Sequence, residues 1–114
     1  MLFRSAMSRS FKTGKVVTLD RIETIADSLA PPMTMPYSLS VCRHYIDEIV
    51  VVSDAAICRA MALMFEDRGL AVEPAAAATT AAMIGPLREK LAGKRVAIIV
   101  CGSNIDFEIG RAHV

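Results

Sequence analysis

The chain has 114 residues, of which 54% are apolar and 22% are charged, and its formal net charge is +1. This length allows one domain with a modest core, but it is short for a complete α/β enzyme. The small net charge argues against nucleic acid or an anionic membrane as a main partner, and no apolar run reaches the ~18 residues of a membrane span.

We hypothesise that the two ends of the chain differ in origin from the middle. Residues 2–5 and 108–114 can be translated from opposite strands of a common sequencing-library adaptor. We therefore expect residues 1–5 and 108–114 to be adaptor-derived, and residues 6–107 to be the protein itself. No residue of either end is then a candidate for a functional site.

Near the amino terminus, Ser10-Phe11-Lys12 lies in a polar stretch that ends at Gly14. A glycine after such a stretch indicates a helix end, and a lysine there is usually solvated. We therefore predict that Lys12 is an exposed lysine at the end of a short helix. Residues 15–19 are predicted to be an extended connector, and the proline-rich residues 31–36 an irregular segment, because proline lacks a backbone donor.

Two helices with cap signals are predicted in the middle of the chain. Ser38 is predicted to N-cap a helix that ends at Tyr45, and Ser53 is predicted to N-cap a helix over Asp54–Arg68 that Gly69 ends. Between them, residues 48–52 are predicted to form a strand, of which residues 49–52 are apolar.

The last third of the chain predicts a helix, a second short helix and a strand. Pro74 begins an alanine-rich helix over residues 74–83, and Gly85-Pro86 separates it from a short helix over residues 86–92. Residues 96–100, Val-Ala-Ile-Ile-Val, have the pattern of a strand buried on both faces. The order of elements predicts an α/β fold, a mostly parallel sheet with flanking helices in which residues 49–52 and 96–100 are neighbouring strands.

The turn after residues 96–100 is the first candidate site. In open α/β sheets, ligands bind just beyond the carboxyl ends of the strands. A thiol, a glycine, a hydroxyl and an amide occupy this position, as Cys101, Gly102, Ser103 and Asn104. The alternative interpretation is that Gly102 only turns the chain.

Four segments, in this order and at this spacing, resemble the carboxyl-terminal part of the pyridoxal-phosphate-dependent serine/threonine dehydratases. They are TIADSLA (24–30), YIDEIVVVSDAAICRAM (45–61), LAVEPAAA (70–77) and GKRVAIIVCGSNID (93–106). This fold type II family includes threonine deaminase and serine racemase. The resemblance implies that the chain is a carboxyl-terminal fragment of the larger domain of such an enzyme.

The resemblance also implies which residues meet the cofactor, pyridoxal 5′-phosphate. Cys101 stands where the family has a Ser or Cys that meets the ring nitrogen, and a neutral partner suits β-elimination. Asn104 matches an asparagine that orders the turn, and Gly102 and Ser103 complete it, with Ser103 in place of a usual glycine. Glu73 matches an acidic residue that lines the cofactor pocket; capping of the following helix is an equal alternative.

The sequence also departs from the family pattern. It contains no glycine-rich phosphate loop, and the family's Schiff-base lysine lies much farther upstream of TIADSLA than Lys12 does, although both have a Ser-Phe-Lys setting. We therefore expect no catalytic residue in this fragment and no activity of the fragment alone. Ser28 stands where the family usually has glycine, which puts a close backbone approach there in doubt.

The reaction implied for the parent enzyme converts a serine- or threonine-like hydroxy amino acid into a 2-oxo acid and ammonia. An amino-acid racemase of the same fold type is one alternative, and a non-catalytic α/β binding module is another, although CGSN lacks a dinucleotide fingerprint. The parent is expected to be a cytoplasmic homo-oligomer that acts on a small hydroxy amino acid, without nucleic-acid or membrane partners, and no metal ligand is predicted in this chain. The odd number and wide spacing of the cysteines suit a reducing compartment better than a disulfide framework or a zinc site.

Overall fold

The computed structural model describes residues 5–105, which form five α-helices. These residues contain a single isolated β-bridge, antiparallel, between Thr18 and Met33. No helix within residues 5–105 combines the length and the apolarity needed to cross a bilayer. The helices are α1 (Ala6–Thr13), α2 (Pro36–Tyr45), α3 (Asp54–Arg68), α4 (Pro74–Ile84) and α5 (Arg88–Leu91).

The ends of α1 explain the surroundings of Lys12. The Ser5 hydroxyl accepts the Ser8 N–H at 3.2 Å at the start of the helix, and Gly14 ends it with φ of +72°. The buried Ser10 hydroxyl accepts the Val17 N–H at 2.9 Å, which directs the chain away from the helix. Lys12 is exposed in the last helical turn, so its predicted position is confirmed.

The predicted start of α2 was wrong by three residues. The helix begins at Pro36 with Met35 at the N-cap position, and the Ser38 side chain makes no capping hydrogen bond. Proline favours the first helical turn, because its fixed φ suits the helix and its missing N–H would have no partner there. The helix ends at Tyr45, as predicted.

Both caps of α3 are as predicted. The Ser53 hydroxyl accepts the Ala56 N–H at 3.2 Å, and Gly69 ends the helix in the left-handed region with φ of +63°. The predicted start of α4 at Pro74 is confirmed, and that helix extends one residue farther than predicted, to Ile84. The predicted short helix over residues 86–92 is shorter, with only Arg88–Leu91 helical.

The core lies between α3 and α4. Alanine provides most of the contact surface of α4, and small side chains allow two helix backbones to approach closely. From α3, Ile57 is the largest fully buried apolar side chain. The core cluster consists of Ala26, Ile57, Ala60, Met64, Val72, Ala75, Ala76, Ala77 and Ala81.

Neither predicted strand forms ladder hydrogen bonds within residues 5–105. Residues 49–52 and 96–100 are neither helical nor paired, so the predicted parallel sheet is not formed by this part of the chain. A strand needs a neighbour to satisfy its backbone groups, and these residues supply none beside either run. The side chains of residues 96–100, hereafter the apolar strip, are exposed, and Ile99 is 79% exposed.

The apolar strip predicts self-association of the 114-residue chain. A row of exposed β-branched side chains on an unpaired segment favours contact with another apolar surface. Ile99→Lys should weaken association by about tenfold or more, because it replaces a buriable apolar group by a charge. Sedimentation velocity over a concentration series measures the effect.

The matched control is Tyr37→Lys, which changes an 81% exposed side chain on α2. That variant should associate as the parent chain does. Equal association of all three chains would show that the apolar strip is not the contacting surface.

Candidate functional site

The turn at Gly102 is held against the start of α4. The Glu73 backbone N–H donates to the Gly102 carbonyl oxygen at 3.2 Å. Gly102 has φ of +67°, and a Cβ at this position would lie 2.6 and 2.7 Å from the two carboxylate oxygens of Glu73. The left-handed backbone favours glycine here, and a Cβ would in addition displace the Glu73 carboxylate.

The Glu73 carboxylate lies beside the Gly102 turn at the start of α4. The residue is half-buried at the N-cap position of α4, and its side chain makes no capping hydrogen bond. In the part of the chain that the structure describes, neither carboxylate oxygen accepts a hydrogen bond. Both oxygens therefore remain available as acceptors beside the Gly102 turn, and a half-buried carboxylate favours a donor partner.

The other predicted site residues adjoin this contact. Cys101, Ser103 and Asn104 are exposed, and the Ile105 N–H donates to the Ser103 carbonyl oxygen at 2.9 Å, which tightens the turn. The structure thus places the Glu73 carboxylate beside Gly102, in a turn whose neighbouring residues carry a thiol, a hydroxyl and an amide.

The Asp54 side chain joins the start of α3 to residues 24 and 25. Its carboxylate accepts the Thr24 hydroxyl at 2.5 Å and the Ile25 N–H at 3.3 Å. Thr24 in turn accepts the Ala26 N–H at 3.2 Å. The first residues of TIADSLA are therefore fixed to the start of α3, and Ala26 is completely buried in the core.

Ser28, which replaces a usual glycine of the resembling family, causes no backbone strain. It lies in a 3₁₀ turn over Asp27–Leu29, and its N–H donates to the Asp27 carboxylate at 2.8 Å. Within residues 5–105, only glycines have positive φ. The change therefore adds an exposed hydroxyl without requiring a left-handed conformation of a side-chain-bearing residue.

Two further features concern metal and thiol chemistry. No group of three or more His, Cys, Asp or Glu side chains within residues 5–105 could hold a metal ion. Cys42, Cys58 and Cys101 are free thiols. Burial raises the pKa of the Cys58 thiol, and the negative charge of Asp54 raises it further.

Comparison with known proteins identifies a family and several relatives. The sequence profile of the pyridoxal-phosphate-dependent enzymes matches residues 3–102. A phenylserine dehydratase of Ralstonia pickettii is 48% identical over 109 residues, which are 96% of this chain and 33% of that protein. A serine racemase of Schizosaccharomyces pombe is 32% identical over 100 residues, which are 88% of this chain and 31% of that protein. The chain thus spans about a third of the length of these curated relatives.

Solved structures give the same fold assignment. Maize serine racemase has a TM-score of 0.81 and 30% identity, with 96% of this chain and 37% of that chain covered. A fungal L-serine ammonia-lyase from Rhizomucor miehei has a TM-score of 0.76 and 27% identity, with 96% of this chain and 36% of that chain covered. The fold is therefore that of the α/β, fold type II enzymes, of which residues 5–105 show mainly the helices.

The environment of Cys58 predicts the effect of removing the Asp54 charge. Asp54→Asn should lower the pKa of the Cys58 thiol toward its ordinary value of 9.0, but not to it, because burial is the larger cause and remains. Alkylation of Cys58 at pH 8–9 should therefore become faster, since the thiolate is the reactive form. The pH dependence of iodoacetamide labelling, measured by peptide mass spectrometry, tests this expectation.

Asp67→Asn is the matched control, because Asp67 is exposed at the other end of α3. It should leave the labelling curve unchanged. An Asp54→Asn curve that coincides with that of the parent chain would contradict the assigned electrostatic contact.

Proposed function

This chain belongs to the pyridoxal-phosphate-dependent enzymes, and we propose that it is part of a hydroxy-amino-acid dehydratase, an ammonia-lyase that releases a 2-oxo acid and ammonia. The observation that supports this most strongly is the docking of Gly102 against Glu73, which places Glu73 beside the turn of residues 101–104. The relative with 48% identity is named a phenylserine dehydratase, which favours elimination from a β-hydroxy amino acid.

The residues of the turn fit one edge of a pyridoxal 5′-phosphate site. When bound, this cofactor supplies an electron sink next to the α-carbon of an amino-acid substrate. A neutral thiol, an amide and a carboxylate are suitable partners for a heteroaromatic ring and its hydroxyl. On this proposal Cys101, Gly102, Ser103, Asn104 and Glu73 form the cofactor-binding set of this chain.

Each residue has a role that follows from its chemistry. The Cys101 thiol would hold the ring nitrogen through an uncharged contact and so would not supply the negative charge that favours protonation there. Gly102 leaves room for the Glu73 carboxylate, and the Asn104 amide can both donate and accept within the turn. Ser103 adds a hydroxyl at the rim. The phosphate contacts and the reactive lysine belong to the remaining two thirds of the enzyme, so the chain alone is expected to be inactive.

We also propose a parallel sheet and a homo-oligomeric assembly for the parent enzyme. Residues 49–52 and 96–100 are proposed to be strands of a mostly parallel sheet whose neighbours come from the rest of the polypeptide. The exposure of the apolar strip supports this, because buried parallel strands are apolar on both faces. Residues 6–107 are proposed to be the enzyme portion of the chain, within a cytoplasmic homo-oligomer whose cysteines stay reduced.

Amino-acid racemization is the second candidate function. The Schizosaccharomyces pombe relative and the maize structure are both named serine racemases. Elimination and racemization yield different products, a 2-oxo acid or the opposite enantiomer. Product analysis therefore distinguishes the two functions. The higher identity to the dehydratase favours elimination.

A hybrid enzyme tests the proposed role of Cys101. In this hybrid, residues 6–107 of this chain replace the residues of the Ralstonia pickettii phenylserine dehydratase that align with them. Cys101→Ser should retain cofactor binding and 2-oxo acid release within about threefold, because a hydroxyl makes a similar neutral contact. Cys101→Asp should shift the cofactor absorbance and slow elimination, because a carboxylate favours a protonated ring nitrogen.

If Cys101 only packs in the fold, its replacement by Asp would change stability rather than the cofactor spectrum. Thermal unfolding of each variant separates the two cases. An unshifted spectrum in a folded Cys101→Asp hybrid would contradict the assigned contact.

The space at Gly102 gives a second test in the same hybrid. Gly102→Ala should weaken cofactor binding by about tenfold, because the added Cβ displaces the Glu73 carboxylate and strains a left-handed residue. Gly93→Ala is the matched control, since Gly93 also has positive φ, +73°, but has open space around it. Cofactor titration by absorbance measures both, and equal losses would show that strain alone is responsible.

A further inference from the structure

We infer that Thr79 is a positioning residue that sets the register of the Cys101–Asn104 turn against α4. The Thr79 hydroxyl donates to the Ile99 carbonyl oxygen at 3.4 Å and shares its proton with the Ala76 carbonyl oxygen at 3.3 Å. The contact to Ile99 joins α4 to the apolar strip two residues before Cys101.

This contact matters because little else holds the segment in place. Residues 92–104 are exposed throughout, so they contribute no buried side chain to the core. Two hydrogen bonds join this segment to α4, namely Thr79 to Ile99 and the Glu73 N–H to Gly102. The side-chain contact of Glu73 with Gly102 is adjacent to the second bond.

The distance between the two bonds is similar along α4 and along the extended segment. Glu73 and Thr79 are six residues apart on a helix, about 9 Å along its axis at 1.5 Å per residue. Ile99 and Gly102 are three residues apart, about 10 Å in an extended chain at 3.3 Å per residue. The segment therefore runs antiparallel to α4, and a slip by one residue, about 3.3 Å, would break both bonds at once.

The adjacent Thr80 provides a comparison within the same helix. Thr80 is buried, and its hydroxyl has no hydrogen-bond partner among the described residues. Thr79 is exposed, and its hydroxyl reaches across to another segment. Substitution of each threonine by the nearly isosteric valine removes one hydroxyl, and only that of Thr79 joins the two segments.

Amide hydrogen exchange in the 114-residue chain tests the contact without any cofactor. The Glu73 N–H lies outside the hydrogen bonding of α4 and donates to Gly102, so its exchange reports docking of the turn. Thr79→Val should accelerate Glu73 exchange by about two- to fivefold, within the range expected for one weak hydrogen bond. Thr79→Ser should restore the parent rate, and Thr80→Val should not change it.

An internal reference distinguishes local undocking from unfolding. The Ala60 amide lies in the α3 core, and its exchange should be the same in the parent, Thr79→Val and Thr79→Ser chains. Unprotected Glu73 in the parent chain, an unchanged rate in Thr79→Val, or equal acceleration of Glu73 and Ala60 would each overturn the inference.

The consequence for the cofactor rests on the proposed function and is measured separately. In the hybrid enzyme, Thr79→Val should weaken cofactor binding by about two- to fivefold, with rescue by Thr79→Ser. Accelerated Glu73 exchange in a hybrid that binds no cofactor would support the role of Thr79 and contradict the proposed function. Tight binding that Thr79→Val leaves unchanged would overturn the positioning role at the site.

Discussion

The close packing of α4 on α3 is the constraint on which the rest of the structure depends. Alanines on α4 let its backbone approach α3, where Ile57, Ala60 and Met64 complete the core. This packing fixes the position of Glu73, because that residue immediately precedes α4. Glu73 then receives the Gly102 turn through one backbone hydrogen bond and one steric contact. The candidate site is therefore built outward from the helix pair.

The sequence predicted the helices well where local chemistry determines them. Ser53 and Gly69 are strong cap residues, and Pro74 favours a first turn, so three boundaries of α3 and α4 were predicted correctly. The start of α2 was predicted wrongly, because Ser38 resembles an N-cap while Pro36 suits the first turn as well. Local signals compete there, and only the folded chain decides between them.

Local sequence alone does not determine whether the predicted strands pair into a parallel sheet. A strand is defined by its partners, and residues 5–105 provide no ladder for residues 49–52 or 96–100. The apolar pattern of residues 96–100 located the candidate turn, the resemblance assigned roles to its residues, and the structure added its contact with Glu73. The Asp54–Thr24 tie and the Thr79 contact escaped prediction, because they join residues 30 and 20 positions apart and depend on tertiary placement.

The central claim is that the Gly102 turn, docked on Glu73, forms the ring-binding edge of a pyridoxal 5′-phosphate site. A crystal structure of the hybrid enzyme with bound cofactor measures this most directly. We expect the Cys101 sulfur within hydrogen-bonding distance of the ring nitrogen, with the Glu73 carboxylate beside the same ring and still in contact with Gly102. A cofactor whose ring nitrogen meets another residue, with Cys101 turned away from it, would contradict the account.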